Sequence, residues 1–216
     1  MADPVTPEAF ADAFVPEDEV VAAATERSLE LGIEPVSPAT GMALALAAAA
    51  RPVERIVEIG TGAGVSGLWL LRGAPDAQLT TIDQDHDRHV AARAVFQSAG
   101  RTGRSVRFIT GRAADVLPRM NEDAYDLVLV DADAEPVQQY TETALRLVRP
   151  GGTVLVARVL QQGKVANPAR RDRRTVVYRD LLRSVRDRDD LLAGVSPVGD
   201  GLLQLVRRRP GTESIS

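Results

Sequence analysis

Three short segments hold most of the residues whose types and spacing could do chemistry. Glu58-Ile59-Gly60-Thr61-Gly62-Ala63-Gly64 sets an acid just ahead of three glycines at alternate positions. Asp83 follows 23 residues after Gly60. Asp131-Ala132-Asp133 puts two acids at the end of a hydrophobic run. Glycines at this spacing let the chain turn sharply and let a ligand come close to the backbone. Amides at the start of a following helix then face that ligand. An acid at Asp83 can accept both hydroxyls of a ribose. These features fit NAD or S-adenosylmethionine (SAM). The dinucleotide fingerprint G-x-G-x-x-G needs a third glycine where Val65 stands, so the fit to NAD is poor. Glu58 beside the turn suits a ligand with a cationic amino group and a sulfonium better than one with a pyrophosphate.

The rest of the chemical inventory is narrow. The 216 residues include no Cys and 2 His, and Lys164 is the single Lys among 26 basic residues. That excludes disulfides, thiolate nucleophiles and sulfur-ligated zinc. It leaves few general bases or nitrogen ligands. His86 and His89 fall in Asp83-Gln84-Asp85-His86-Asp87-Arg88-His89, which reads as a solvated helix start. The net charge is −4, and the first 26 residues carry 7 acids and no base. Arg170 to Arg188 holds 8 Arg with Asp172, Asp180 and Asp187 interleaved. That pattern predicts an exposed helix laced with ion pairs, and no nucleic-acid surface.

The elements that must position these residues follow from patterning. Glu17–Leu31 reads as a helix with acids in its first turn. Ser37 and Pro38 read as the cap and first position of an apolar helix running to about Ala50. Strand–helix alternation then begins. Strands are expected at Arg55–Ile59, Gln78–Ile82, Ser105–Thr110, Tyr125–Val130 and Thr153–Val156. Helices are expected at Val65–Arg72, Asp85–Ala99, Ala113–Met120, Val137–Leu147 and Asp172–Asp187. A last pair, Gly194–Val198 and Leu202–Val206, is joined by Gly199-Asp200-Gly201, a hairpin signal. Such alternation predicts an α/β fold with a doubly wound, mostly parallel sheet and one antiparallel C-terminal strand. Tyr125–Val130, the most hydrophobic strand, is expected at its centre. Ligands bind such sheets at the carboxyl ends of the strands. That is where Gly60, Asp83 and Asp131 stand.

The expected organisation is a flexible acidic tail over residues 1–16, one domain over 17–208, and a C-terminal tail over 209–216. The longest apolar run, Gly41–Ala50, is too short to span a bilayer, and the N-terminus has no basic leader. A cytoplasmic protein with no membrane contact is expected.

As an ordered set, these residues resemble a known family. Val36-Ser37-Pro38-Ala39-Thr40-Gly41, Val57-Glu58-Ile59-Gly60-Thr61-Gly62, Ser66, Ile82-Asp83, Gly111-Arg112-Ala113, Val130-Asp131-Ala132-Asp133, Pro150-Gly151-Gly152 and Pro197-Val198-Gly199-Asp200-Gly201 look like the small bacterial O-methyltransferases related to caffeoyl-CoA and catechol O-methyltransferases. The similarity runs from about Val20 to Arg208. It implies a seven-stranded class I methyltransferase sheet, SAM as cofactor, a small-molecule methyl acceptor and a homodimer. It implies cofactor contacts from Val36, Glu58, Gly60, Thr61, Ser66, Asp83, Gln84, Ala113 and Asp131. Asp131, Asp133 and Arg158 are the residues expected on the acceptor side.

The pattern breaks at the metal. Metal-dependent members hold a divalent ion with the first Asp of the D-A-D segment and an Asp-Asn pair after strand five. Asp131 is present, but the pair aligns with Ala157 and Arg158, and the family's Lys aligns with Ala134. No metal is expected and no catalytic residue is assigned. Arg158 is expected to replace the ion's charge beside Asp131, and Asp131, Asp133 or Tyr140 to relay a proton. The expected function is SAM-dependent O-methylation of a small phenolic or catechol-like molecule without a metal. The alternatives are a SAM-binding protein with little catalysis, or a metal-dependent catechol-type enzyme with a rebuilt site.

Overall fold

The β-branched runs do form strands. The computed structural model describes residues 6–16, 19–101, 103–132 and 134–211. Seven strands form one sheet in the order β3-β2-β1-β4-β5-β7-β6. They are β1 (Arg55–Ile59), β2 (Gln78–Asp83), β3 (Val106–Thr110), β4 (Tyr125–Val130), β5 (Val148–Ala157), β6 (Leu191–Ser196) and β7 (Leu202–Arg207). Strands β1 to β5 pair in parallel, and β7 runs antiparallel between β5 and β6. The expected fold is therefore observed. The expected hairpin forms as well, and β4 lies at the centre. Strand β5 begins earlier than patterning suggests, at Val148, with a register irregularity opposite Tyr125 and Leu127.

Helices cover both faces. They are α1 (Pro7–Phe14), α2 (Glu19–Glu30), α3 (Pro38–Ala49), α4 (Val65–Gly73), α5 (His86–Ser98), α6 (Ala113–Val116), α7 (Val137–Leu147) and α8 (Arg173–Arg186). Side chains alternate across each strand, so each strand feeds two cores. Ile56, Leu127 and Leu129 join Trp69 of α4 and Phe96 of α5. Val57, Val128 and Val130 join Tyr140 of α7 and Tyr178 of α8. Among the described residues no helix is long and apolar enough to cross a membrane.

Within the expected N-terminal tail, Pro7–Phe14 form α1, capped by the Thr6 hydroxyl, which accepts from Ala9 N. Residues 1–5, 17–18 and 212–216 of the expected tails and first helix lie outside the described residues. Helix α6 stops at Val116 and continues as a short 3₁₀ turn, Leu117–Arg119. Pro118 lies in that turn and cannot donate an α-helical hydrogen bond. Ser37 caps α3 as expected, its hydroxyl accepting from Thr40 N. The Arg-rich α8 carries the expected surface pairs, among them Arg173–Glu135 and Arg183–Asp180.

Candidate active site

The carboxyl ends of β1, β2 and β4 open together into a cleft of about 260 Å³. Strand β1 runs into the glycine turn, where Gly60 and Gly62 have positive φ values of 96° and 51°. A side chain at Gly60 would meet the Asp131 carbonyl oxygen at 2.0 Å, so glycine there lets the β1 turn pass against the end of β4. The turn enters α4 at Gly64, whose cap position has no side-chain hydrogen bond. Val65 and Ser66 line the cleft at that uncapped helix start. Such a terminus presents backbone amides and a partial positive charge to a ligand.

Of the expected cofactor residues, Val36, Gly60, Thr61 and Ser66 border the cleft, as do Asp83, Gln84, Ala113 and Asp131. Glu58 does not. It is fully buried, because it shares a strand face with Ile56 and points into the layer under α4. Its Oε1 accepts from the Ser66 hydroxyl and its Oε2 from the Thr81 hydroxyl, each at 2.6 Å. Burial pushes its carboxyl up to about 7 against those two hydrogen bonds, with Asp131 and Asp83 pushing the same way. Asp133 lies outside the described residues.

Asp83 is buried at the end of β2. Its Oδ2 accepts from Thr61 N at 3.0 Å and Gly62 N at 3.3 Å, and its Oδ1 accepts from Asp85 N at 3.0 Å. The same acid therefore shapes the glycine turn and borders the cleft. A carboxylate has about four acceptor positions, so three amides leave room on Oδ1 for one more donor.

Another side of the cleft is built around Arg158. Its Nε donates to Asp131 Oδ1 at 2.9 Å, and its Nη2 donates to the Glu34 carbonyl at 2.8 Å. Its Nη1 lies 3.1 Å from the Glu34 carboxylate. Burial alone would lower the guanidinium's pKa, but Asp131 and Glu34 raise it overall. Arg158 also holds a left-handed backbone, φ 62°, which costs a non-glycine residue about 1–2 kcal/mol. Among the described residues no cluster of three His, Asp or Glu side chains could hold a metal ion. Ala157 offers no side-chain donor, and a guanidinium sits against Asp131. Among the described residues, this donor set does not fit an oxygen-ligated divalent ion.

Several cleft residues escaped the sequence reading, among them Glu34, Arg88 and Arg174 at the start of α8. Arg88 was the most accessible, since Asp85 and Arg88 pair three residues apart on α5. Nothing local marks Glu34, whose partner is 124 residues away. The loop from Gln161 to Arg171 does not border the cleft. Arg179 of α8 holds that loop, donating to the carbonyls of Val165, Asn167 and Arg170. The one lysine, Lys164, sits in that loop away from the site.

His89 also departs from expectation. It is 1% exposed, and both ring nitrogens contact threonine hydroxyls. His86, at the same helix start, is exposed as expected. His89 packs edge-on against Phe108 of β3, while His86, at the first position of α5, stays exposed.

Comparison with known proteins agrees with this geometry. The O-methyltransferase family model matches residues 17–209. A Mycobacterium avium (strain 104) protein with a provisional O-methyltransferase name is 41% identical over 92% of this chain and 90% of its own length. The crystal structure of the O-methyltransferase TomG from Streptomyces achromogenes, involved in tomaymycin synthesis and solved in complex with SAM, superposes with a TM-score of 0.83. It is 31% identical and covers 93% of this chain and 94% of TomG. An O-methyltransferase from Bacillus cereus in complex with SAH superposes with a TM-score of 0.82 at 25% identity, over 92% of this chain and 94% of that one. With its sheet order, its glycine turn and a family match over nearly its whole length, this chain belongs to the O-methyltransferase family.

Proposed function

We propose that this protein transfers a methyl group from SAM to a hydroxyl oxygen of a small phenolic or catechol-like molecule, without a metal ion. The observation that carries the reading is the Arg158–Asp131 pair at the rim of a cleft floored by the glycine turn. SAM, when bound, supplies a methyl group already activated on a sulfonium. The amides at the start of α4 would hold its carboxylate, and Asp83 a ribose hydroxyl. Gln84 and Ala113 would flank the adenine, with Val36 and Ser66 toward the methionine end. Glu58 would act on the amino group only from behind the turn, through charge and through Ser66.

The residues' chief task is to hold the acceptor oxygen in line and exclude water, which is worth up to roughly 7–11 kcal/mol in oriented reactions. A phenol ordinarily ionises near pKa ~10, so its proton must also be managed. Arg158 supplies positive charge there and favours an oxyanion, while the Asp131 carboxylate takes the proton, directly or relayed through the Tyr140 hydroxyl. Asp133 is proposed as a further acceptor contact. A homodimer and a cytoplasmic location belong to the same reading; light scattering tests the first.

The experiment is methyl transfer to a panel of catechols and phenols, with and without a chelator. Turnover unchanged by the chelator supports the reading. Turnover abolished by it favours a metal-dependent enzyme with a rebuilt site. SAH binding with no turnover on the panel favours a SAM-binding protein with little catalysis. The engagement of all three Arg158 guanidinium nitrogens by Asp131 and Glu34 speaks for that second reading.

A further inference from the structure

Behind the glycine turn, six side chains form a continuous chain of hydrogen bonds across three strands and two helices. It runs from Thr110 (β3) through His89 (α5), Thr61 (the turn) and Thr81 (β2) to Glu58 (β1), with Ser66 (α4) closing the far end. The Glu58 carboxylate sets the direction of every link. An ionised carboxylate only accepts, so the Thr81 hydroxyl donates to it at 2.6 Å. With its one proton used, Thr81 accepts from the Thr61 hydroxyl at 2.7 Å. Thr61 must then accept from His89 Nε2 at 3.0 Å, which places the ring proton on Nε2. The bare Nδ1 accepts from the Thr110 hydroxyl at 2.9 Å. The chain leaves no lone pair or proton of the ring unmatched. Thr61 is the junction, because its own N–H donates to Asp83 Oδ2 in the cleft wall.

We propose that His89 is a positioning residue for the cofactor turn: as the neutral Nε2–H tautomer it ties Thr110 to Thr61 and so holds Thr61 and, through Thr81, Glu58 in place. Burial pushes the imidazole below its usual range, which keeps it neutral. The charged groups facing it are Asp83 from β2 and Asp85, His86 and Arg93 from α5. Those facing Glu58 are Asp83 and Asp131. When Glu58 takes up a proton, one of its oxygens becomes a donor, so the carboxyl no longer fixes the direction of every link and the turn loses its fixed pattern.

The positioning role rests on the reading of the cleft as a SAM site; the tautomer does not. Two measurements keep them apart. Long-range ¹H–¹⁵N spectra of the wild-type protein at pH 9, with His86 as an exposed reference, are expected to show His89 as Nε2–H. An Nδ1–H tautomer or an imidazolium would overturn the proposal. Calorimetric binding of SAH from pH 5.5 to 9 is expected to weaken as pH falls through about 7, the Glu58 midpoint. His89→Phe removes both ring contacts and should weaken SAH binding about tenfold, the scale of one lost hydrogen bond, and move that midpoint upward. His89→Gln keeps a donor at the Nε2 position and should restore most of the affinity. A folded His89→Phe with wild-type affinity and midpoint overturns the positioning role. If wild type binds no SAH at any pH, the cofactor reading fails and the positioning role with it.

Discussion

The Nε of Arg158 lies 2.9 Å from Oδ1 of Asp131, which joins the end of β5 to the end of β4 across one side of the cleft. Both side chains are largely buried, at 21% and 14% exposure, so the pair is shielded from solvent. Arg158→Ala leaves the Asp131 carboxylate without that cation. A loss of about 100-fold or more in kcat/KM is expected, with about 1–3 kcal/mol of stability. Arg158→Gly should be as inactive yet more stable than the Ala variant by about 1 kcal/mol, because glycine relieves the left-handed backbone. Turnover assays and urea titrations check the two effects separately. Full activity in Arg158→Ala would reduce the pair to a structural tie.

Glu58 gives stability a defined pH dependence. Its carboxyl is raised from an ordinary 4.5 to about 7 by burial. A raised acid favours the folded state when protonated, so its contribution is complete below about pH 4.5 and is lost as pH rises through 7. The swing is of the order of 3 kcal/mol. Glu58→Gln keeps the group neutral and should gain about 2 kcal/mol relative to wild type at pH 8 compared with pH 5. Urea midpoints at the two pH values test this; parallel curves for the two proteins would contradict it.

The two glycines of the turn should differ in tolerance. At Gly60 an added methyl meets the Asp131 carbonyl at 2.0 Å with φ 96°, whereas at Gly62 its nearest neighbour is Ile33 Cγ2 at 3.4 Å with φ 51°. Gly60→Ala should therefore cost more than about 3 kcal/mol, and Gly62→Ala about 1–2 kcal/mol from backbone strain. Thermal melts of both variants decide it.

The missing donor set can be rebuilt. Ala157→Asp combined with Arg158→Asn puts two oxygen donors beside Asp131, the set that the family's metal-dependent members use. Magnesium should raise the melting temperature of the double variant and leave wild type unchanged, since a ligand stabilises only a state that binds it. An equal rise in wild type would contradict the metal-free reading.

Residue order alone determined the sheet and the place of the site. Strand–helix alternation in Arg55–Val156 and the Gly199-Asp200-Gly201 hairpin specified the topology that is observed, and acids at the ends of β2 and β4 located the cleft. Such features are local: periodicity, turn chemistry and strand ends are written in neighbouring residues. Tertiary structure decided the rest. Strand alternation turned Glu58 into the layer beneath α4 instead of toward the ligand. Helix packing drew His89 into a chain of threonines from three other elements. The partner of Arg158 across 124 residues, Glu34, has no local signature. Each of these outcomes depends on which long-range groups share a buried space, where desolvation makes every unpaired charge or donor costly.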